Sequence, residues 1–344
     1  MVQVITFGCR MNAYESEAIK EKLHEFDDVI VVNTCAVTGE AERQCRQTIR
    51  KLRRENPNAK IVVTGCSAQV SSAELAKMPE IDLLLGNREK KHIEEFVNNL
   101  AAPKHNVSDI FADDDCDEYI ITGFEGRQKA FVHIQQGCNH RCTYCIIPYA
   151  RGKNRCVPAD VIIRQIKELV GQGFAQICLT GVDICSYQPS FSDLVEKILR
   201  EIPELPCLQF GSLDPAAVDD KFISLLEKSK NMDTHFHFSV QSGDNMVLKR
   251  MGRRHSRETV IELCKKIRNV CPKATFGADF ICGFPTESEI AFQNTCKLVE
   301  EAGISKLHVF PYSERSGTPA AKMPQIPMEE RRRRAAILRQ LSKE

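Results

Sequence analysis

The stretch IQQGCNHRCTYCIIPYARG, residues 134–152, places Cys138, Cys142 and Cys145 within eight residues, separated by three and then two. It continues the apolar run FVHIQQ (131–136), so the thiols lie on a loop directly after a strand. Closely spaced thiolates are soft ligands suited to zinc or iron–sulfur. A closed zinc site needs a fourth ligand, which His140 between the cysteines would supply. A cubane held by three cysteines instead leaves one iron open to a substrate or cofactor.

Downstream of this loop, strands and helices alternate. QICLTGV (176–182), LQFGSL (208–213), HFHFSV (235–240), TFGADFICG (275–283) and KLHVFPY (306–312) read as strands. Amphipathic stretches separate them, among them ADVIIRQIKELVGQ (159–172), SDLVEKILREI (192–202) and RETVIELCKKIRNV (257–270). With the strand before the cysteine loop this makes six βα-type strands. The pattern predicts an incomplete (β/α) barrel, whose active site belongs at the C-terminal strand ends, where the cysteine loop lies.

Upstream, the first hundred residues have the same rhythm. VQVITFG (2–8), DVIVVN (28–33), KIVVTG (60–65) and DLLLGN (82–87) are strands. Helices are expected over 12–26, 39–56, 72–78 and 90–100. Continuous apolar strands between amphipathic helices predict a doubly wound parallel sheet covered on both faces. Residues 101–123 lose the rhythm, and Pro103, Asn106 and the acidic run Asp113, Asp114 and Asp115 read as a connection. The expected organisation is a first domain over 1–102, a connection over 103–123 and a barrel domain over 124–344.

The chain has 344 residues, with Lys plus Arg 47 and Asp plus Glu 46. The net charge of +1 excludes a bulk basic field, so a nucleic-acid partner needs local patches. No apolar run approaches a membrane span and the N-terminus is not a signal peptide, so a cytoplasmic location is expected. A reducing compartment turns clustered cysteines, among the sixteen present, towards metal binding or catalysis. The scattered Cys116, Cys156, Cys178, Cys207, Cys264, Cys271, Cys282 and Cys296 are expected to be small buried hydrophobes.

A second set of thiols is flagged by topology alone. Cys9, Cys35 and Cys66 each follow a predicted strand of the first domain. Residues just after successive parallel strands share one sheet edge, so the three are expected to converge. Cys45, on the helix over 39–56, is a rival ligand or a packing residue.

GCNHRCTYC, with Tyr144 before its last cysteine, resembles the C-x3-C-x2-C motif of radical S-adenosylmethionine enzymes. FGCRMNAYESE, VNTCAVTGEAERQCRQTIRK and VVTGCSAQ resemble the N-terminal domain of the methylthiotransferases in that superfamily. LTGVDICSY, VQSGDNMVLKRMGRRHSRE and DFICGFPTESEIAF extend the resemblance over nearly the whole chain. NTCAVT and CIIPYARG bring it closest to the branch acting on N6-threonylcarbamoyladenosine at tRNA position 37.

The resemblance implies two 4Fe–4S clusters and S-adenosyl-L-methionine as cofactors. Cys138, Cys142 and Cys145 would hold the cluster that binds S-adenosylmethionine and yields a 5′-deoxyadenosyl radical. Cys9, Cys35 and Cys66 would hold a second cluster that carries or donates sulfur. Tyr144, Thr180, Gly181, Ser212, Gln241 and Asp279, in the cysteine loop or near strand ends, would line the cofactor site.

Arg151 and Lys153, beside the cysteine loop, and Arg250, Arg253 and Arg254, after the fourth barrel strand, are candidate tRNA contacts. Arg331 to Arg334 open the last helix and read as a solvated face. The expected partners are the tRNA anticodon loop and an electron donor such as flavodoxin or ferredoxin, with no membrane and a monomeric chain. A C-terminal RNA-binding β-barrel typical of the family is expected to be absent. Two other readings stay open: the same chemistry on isopentenyladenosine or a ribosomal-protein aspartate, and a non-catalytic zinc- or cluster-binding tRNA-binding protein.

Overall fold

The structure, a computed structural model, describes residues 2–99, 103–112, 116, 119–124 and 128–343. The expected junction at 102 and the acidic run Asp113, Asp114 and Asp115 lie outside these residues. The chain divides into two compact units: Met1–His140 with Ile146–Gly173, and Arg141–Cys145 with Phe174–Glu344.

In the first unit, β1 (Gln3–Thr6), β2 (Val29–Thr34), β3 (Lys60–Gly65), β4 (Leu83–Leu85) and β5 (His105–Asn106) form one parallel sheet in that order. The helices α1 (Arg10–Lys22), α2 (Gly39–Glu55), α3 (Cys66–Val70), α4 (Ser72–Leu75) and α5 (Ile93–Asn98) join them. Alternate strand residues go to opposite faces. Ile30, Val32, Ile61, Val63 and Leu84 pack with Ile49 and Leu52 of α2. Val29, Val31, Val62, Leu83 and Leu85 pack with Ile19, Leu23, Ile93 and Val97 on the other face. Burial on both faces is why these strands read as unbroken apolar runs. Each such side chain contributes roughly 1.5–3 kcal/mol.

Local signals set the helix limits. Thr38 caps α2 by accepting from the Ala41 N–H at 3.1 Å, and Glu40 and Glu42 occupy its first turn. The helix expected over 72–78 is the shorter α4, and a further short helix, α3, precedes it, separated from it at Ser71. Ser71 leaves helical geometry and donates from Oγ to Glu42 at 2.9 Å. The strand order is consecutive, with no reversal, so the sheet edge carrying the cysteines is defined by neighbouring strands rather than by a change in strand direction across the sheet.

The first unit also holds β6 (Lys129–Gln136), α6 (Ile147–Arg151), β7 (Arg155–Cys156) and α7 (Ala159–Gly171). β7 pairs antiparallel with β6, a hairpin that no alternation in the sequence announces.

The second unit runs β8 (Gln176–Gly181), α8 (Phe191–Glu201), β9 (Leu208–Phe210), α9 (Asp220–Lys228) and β10 (His235–Gln241). It continues with α10 (Asn245–Met251), α11 (Arg257–Val270), β11 (Thr275–Cys282), α12 (Glu289–Ala302), β12 (Lys306–Pro311) and α13 (Met328–Gln340). β8 pairs with β9, Leu213 bridges to Phe238, and β10, β11 and β12 form a sheet, all in parallel. Along β10, Phe236, Phe238 and Val240 are fully buried while His237, Ser239 and Gln241 are half-buried. This period-2 alternation turns the apolar set towards the helices and the polar set towards the inner face.

With β6, the six strands marked in the sequence are all present. The architecture is α/β: a parallel-sheet domain with helices on both faces, then a partial six-stranded β/α barrel. Among the described residues no helix is long and apolar enough to cross a membrane.

Candidate functional site

The first cysteine set forms at the C-terminal edge of β1, β2 and β3. Thr6 stands opposite Asn33, Asn33 opposite Thr64, and Thr34 opposite Gly65, so the three strands end in register. Cys35 and Cys66 follow Thr34 and Gly65 directly, and Cys9 caps the start of α1. Asn12 ties the edge together, donating from Nδ2 to Phe7 O at 2.7 Å and Thr34 O at 3.0 Å. Gly8, at φ +92°, leaves room for Cys35: a Cβ there would lie 2.8 Å from both Cys35 Cβ and Sγ.

Cys9 is exposed, while Cys35 and Cys66 are buried. Burial pushes the Cys35 thiol up to about 12, and Cys66, Cys9 and Cys45 are the neighbouring thiols that add to the rise. Cys45 is buried on α2, and the Cys35 backbone N–H donates to its sulfur. Its thiol is pushed up to about 11, first by burial.

Beneath this edge lies a fully buried charge cluster. Arg151 donates from Nε to Cys66 Sγ at 3.3 Å, from Nη1 to Glu15 Oε1 at 2.7 Å and from Nη2 to Asn12 Oδ1 at 2.6 Å. Lys90 Nζ stands 2.7 Å from the same Glu15 oxygen. Burial would raise the Glu15 carboxyl, but Arg151 and Lys90 more than offset this and hold it far below the usual carboxylate range. Two cations against one carboxylate leave a net positive charge next to Cys66. That setting suits an anionic sulfur ligand, so the residues present fit a metal–thiolate cluster here.

Of the second cysteine set, Cys138 belongs to the first unit and its N–H donates to Gly152 O at 3.1 Å. Cys142 and Cys145 belong to the second unit, where Cys145 N–H closes a turn on Cys142 O at 3.0 Å. The Thr143 N–H donates to Met251 O at 2.9 Å and its Oγ1 to Arg250 O at 2.8 Å, so the end of α10 carries this turn. Tyr144 packs edge-on against Phe284 at 6.4 Å. Burial, with Cys142 next in effect, pushes its hydroxyl well above its ordinary value.

Arg253 is the residue that fastens the turn. Nη1 lies 3.7 Å from Cys142 Sγ, Nη2 donates to Ser239 O at 2.8 Å, and Asp214 stands at 3.3 Å. Burial would raise the Asp214 carboxyl, yet His255, Arg253 and Arg254 together hold it far below the usual range. Arg253 Nε and Gln209 Oε1 are buried without a hydrogen-bond partner. An unmet guanidinium nitrogen on the residue that meets Cys142 fits a polar, charged cofactor such as S-adenosylmethionine.

The strand-end residues expected to line the cofactor site take distinct places. Thr180 is buried and Gly181 half-buried at the end of β8. Ser212 Oγ lies 2.7 Å from Ser239 Oγ and 3.4 Å from Asp279 Oδ2. Gln241 ends β10 at φ +71°, where the pairing register with β11 shifts. A non-glycine residue in this region is uncommon and clusters at functional sites. Asp279 is held by two imidazoles: His237 Nε2 at 3.0 Å and His308 Nδ1 at 3.4 Å.

Two of the expected RNA contacts are largely buried and already partnered within the chain. Arg151 is buried at 1% exposure and paired with Glu15, and the Arg253 side chain, 9% exposed, is committed to the cysteine turn. Lys153, Arg250 and Arg254 remain at the surface, with Arg250 on Thr286 and Arg254 on Asp214. In the run from Arg331 to Arg334, Arg331 and Arg334 are buried, against the solvated face expected. Arg334 pairs with Glu287 at 2.8 Å and Arg331 donates to Tyr312 O at 2.9 Å. Of the scattered cysteines, Cys178, Cys264 and Cys282 are buried, and Cys116, Cys156, Cys207, Cys271 and Cys296 are only partly so.

Sequence reading passed over Glu15, Lys90, His237 and His308. The alternation HFHFSVQ along β10 was the available signal, since polar residues at every second position of a barrel strand line its inner face.

Comparison with known proteins identifies the family. Residues 132–299 match the family described as Radical SAM superfamily, and residues 1–86 match Uncharacterized protein family UPF0004. The chain is 47% identical over 346 residues to the Threonylcarbamoyladenosine tRNA methylthiotransferase MtaB of Rickettsia prowazekii (strain Madrid E), covering 98% of this chain and 82% of the relative. It is 35% identical to the tRNA-2-methylthio-N(6)-dimethylallyladenosine synthase of Halalkalibacterium halodurans, covering 98% of this chain and 67% of the relative. Among solved structures, the radical S-adenosylmethionine methyltransferase TsrM from Kitasatospora setae superposes with a TM-score of 0.69 at 14% identity, covering 93% of this chain and 76% of that one, a likeness of fold. Two cysteine sets on these two supports, with relatives of this identity and coverage, make the chain a member of the radical S-adenosylmethionine methylthiotransferase family.

Proposed function

We propose that this enzyme adds a methylthio group to C2 of N6-threonylcarbamoyladenosine at position 37 of tRNA, with two S-adenosylmethionine molecules and two 4Fe–4S clusters. The observation that carries the reading is the pairing of two three-cysteine sets, one at the ends of β1, β2 and β3 and one in the loop after β6. The choice of nucleoside is supported by the higher identity to the relative named for threonylcarbamoyladenosine, 47% against 35%.

The chain's own residues hold and shape the two sites. Arg253 fixes the Cys142 turn, Arg151 sets a positive charge against Cys66, and Ser212, Ser239 and Asp279 form a polar inner surface. Ile146 follows Cys145 directly in the chain and packs against Cys66 in the first unit. Bound there, S-adenosylmethionine and the clusters supply the one-electron and sulfur chemistry for an unactivated adenine C–H bond, which acid–base groups do not open readily. In this reading residues 1–102 carry the second cluster and 124–344 the S-adenosylmethionine site, the tRNA meets the enzyme through its anticodon loop, and flavodoxin or ferredoxin supplies electrons to a cytoplasmic monomer.

Mass spectrometry of tRNA nucleosides from a deletion strain tests the proposal. The 2-methylthio derivative of N6-threonylcarbamoyladenosine should vanish and return with the restored gene. Loss of the isopentenyladenosine derivative instead would assign the enzyme to the other nucleoside.

A further inference from the structure

The inner face of β10, β11 and β12 carries a cluster outside the cysteine sites. His237, Asp279 and His308 offer three ligand atoms within 4.8 Å of one another. Their strands place them there: Asp279 stands opposite His308 across β11 and β12, and His237 opposite Gly277 across β10 and β11. The two imidazoles lie 4.6 Å apart, tilted by 39°, and converge on the same carboxylate oxygen. Burial would raise the Asp279 carboxyl, but His237 and His308 outweigh it and hold it at about 2.

The two histidines are not equivalent. His237 is 13% exposed and lies over β11, where Gly277 leaves the space: a Cβ there would come within 2.7 Å of His237 Nδ1. His308 is 60% exposed, and with Nδ1 set against Asp279 its ring turns Nε2 to the opposite edge. Only the imidazolium form of such a ring donates from both nitrogens, through Nδ1 to Asp279 and through Nε2 to a second acceptor. On the same face of β12, two residues either side, stand exposed Lys306 and Phe310, while Leu307 and Val309 between them are buried. The strand thus presents an ammonium, an imidazole and an aromatic ring in a row, spaced about 7 Å apart. On β9, the half-buried Gln209 has an Oε1 with no donor.

We infer that this face binds the N6 substituent of the substrate base, with His308 and Lys306 receiving a carboxylate and Phe310 stacking on the purine. The inference rests on the proposed nucleoside, whose threonylcarbamoyl group ends in a carboxylate. A carbamoyl-linked amino acid can span the distance between an aromatic platform and a cation two residues along the strand. His237 and Asp279 act as positioning residues that fix the His308 ring. An isopentenyl group has nothing to offer a paired imidazole and ammonium, so the same row discriminates between the two nucleosides.

The test uses anaerobically reconstituted full chain and anticodon stem-loop RNAs carrying threonylcarbamoyladenosine, its carboxamide analogue or isopentenyladenosine. Fluorescence polarisation should give binding about tenfold tighter for the carboxylate than for the carboxamide. His308→Ala should abolish that difference while the carboxamide RNA binds as before, and Lys306→Ala should reduce it. Iron content and the circular dichroism spectrum report whether each variant is folded. An undiminished preference in folded His308→Ala overturns the inference and leaves the proposed nucleoside standing. Tighter binding and methylthiolation of the isopentenyl RNA by the unaltered protein overturns both. A preference removed by EDTA at unchanged iron content would make the trio a metal site and overturn the inference.

Discussion

The Arg151 guanidinium donates to Cys66 Sγ at 3.3 Å while its other nitrogens grip Glu15, so a side chain beside one cysteine loop supports the other cysteine set. Arg151 lies six residues after Cys145, and Glu15 lies 136 residues before Arg151. Their pairing locks α6 to the sheet edge that carries Cys9, Cys35 and Cys66.

Glu15→Gln should therefore be costly. It leaves Arg151 and Lys90 buried without their counter-charge, and loss of one partner of a buried pair costs about 3–5 kcal/mol. Urea unfolding at neutral pH should show this loss. An unchanged midpoint would mean that water reaches the cluster.

The same carboxylates predict an acid limit. Glu15, Asp214 and Asp279 all have folded-state values held below their ordinary ones. A depressed carboxyl contributes stability above its unfolded value, near 4, and loses it as pH falls towards the folded value. Thermal melts should show these contributions intact from pH 7 to 5 and fading from about pH 4 towards 2. Glu15→Gln should flatten part of that fall.

Replacing Cys138, Cys142 and Cys145 with Ala should abolish 5′-deoxyadenosine formation in anaerobically reconstituted protein. Chromatography of the reaction mixture measures it. Retained cleavage of S-adenosylmethionine would place its cluster elsewhere.

The Cys9, Cys35, Cys66→Ala variant separates the two cysteine sets by role. It should keep about half its iron, because the other cluster depends on different thiols. Reductive cleavage of S-adenosylmethionine should persist, and no methylthio product should form on tRNA. Full methylthiolation by this variant would sink the two-cluster reading.

Arg253 and Arg254 are adjacent and should behave differently. Arg254, 44% exposed, and Arg250 are free to change tRNA affinity, so Arg250→Ala with Arg254→Ala should flatten the salt dependence by roughly one slope unit per lost contact. Arg253→Ala should instead lower the iron held at the Cys142 turn, with the salt slope of tRNA binding unaltered. Equal slopes for all three proteins would remove Arg250 and Arg254 from the tRNA surface.

The sequence by itself determined what depends on near neighbours. The spacing of Cys138, Cys142 and Cys145, the apolar runs of β1 to β3 and the strand–helix rhythm of the barrel are local patterns, set by side-chain period and chain geometry. Strand ends also placed Cys9, Cys35 and Cys66 on one edge, because parallel neighbours in register bring equivalent positions together. Only the tertiary structure decided which charges are solvated. Arg151 and Arg253 look like any basic residue near a loop, and their burial follows from Glu15 and Asp214, far away in the chain. The trio of His237, Asp279 and His308 is likewise invisible in sequence, since its members are 42 and 29 residues apart. Strand pairing across β10, β11 and β12 joins them, because register between strands is fixed by packing of the opposite, apolar face.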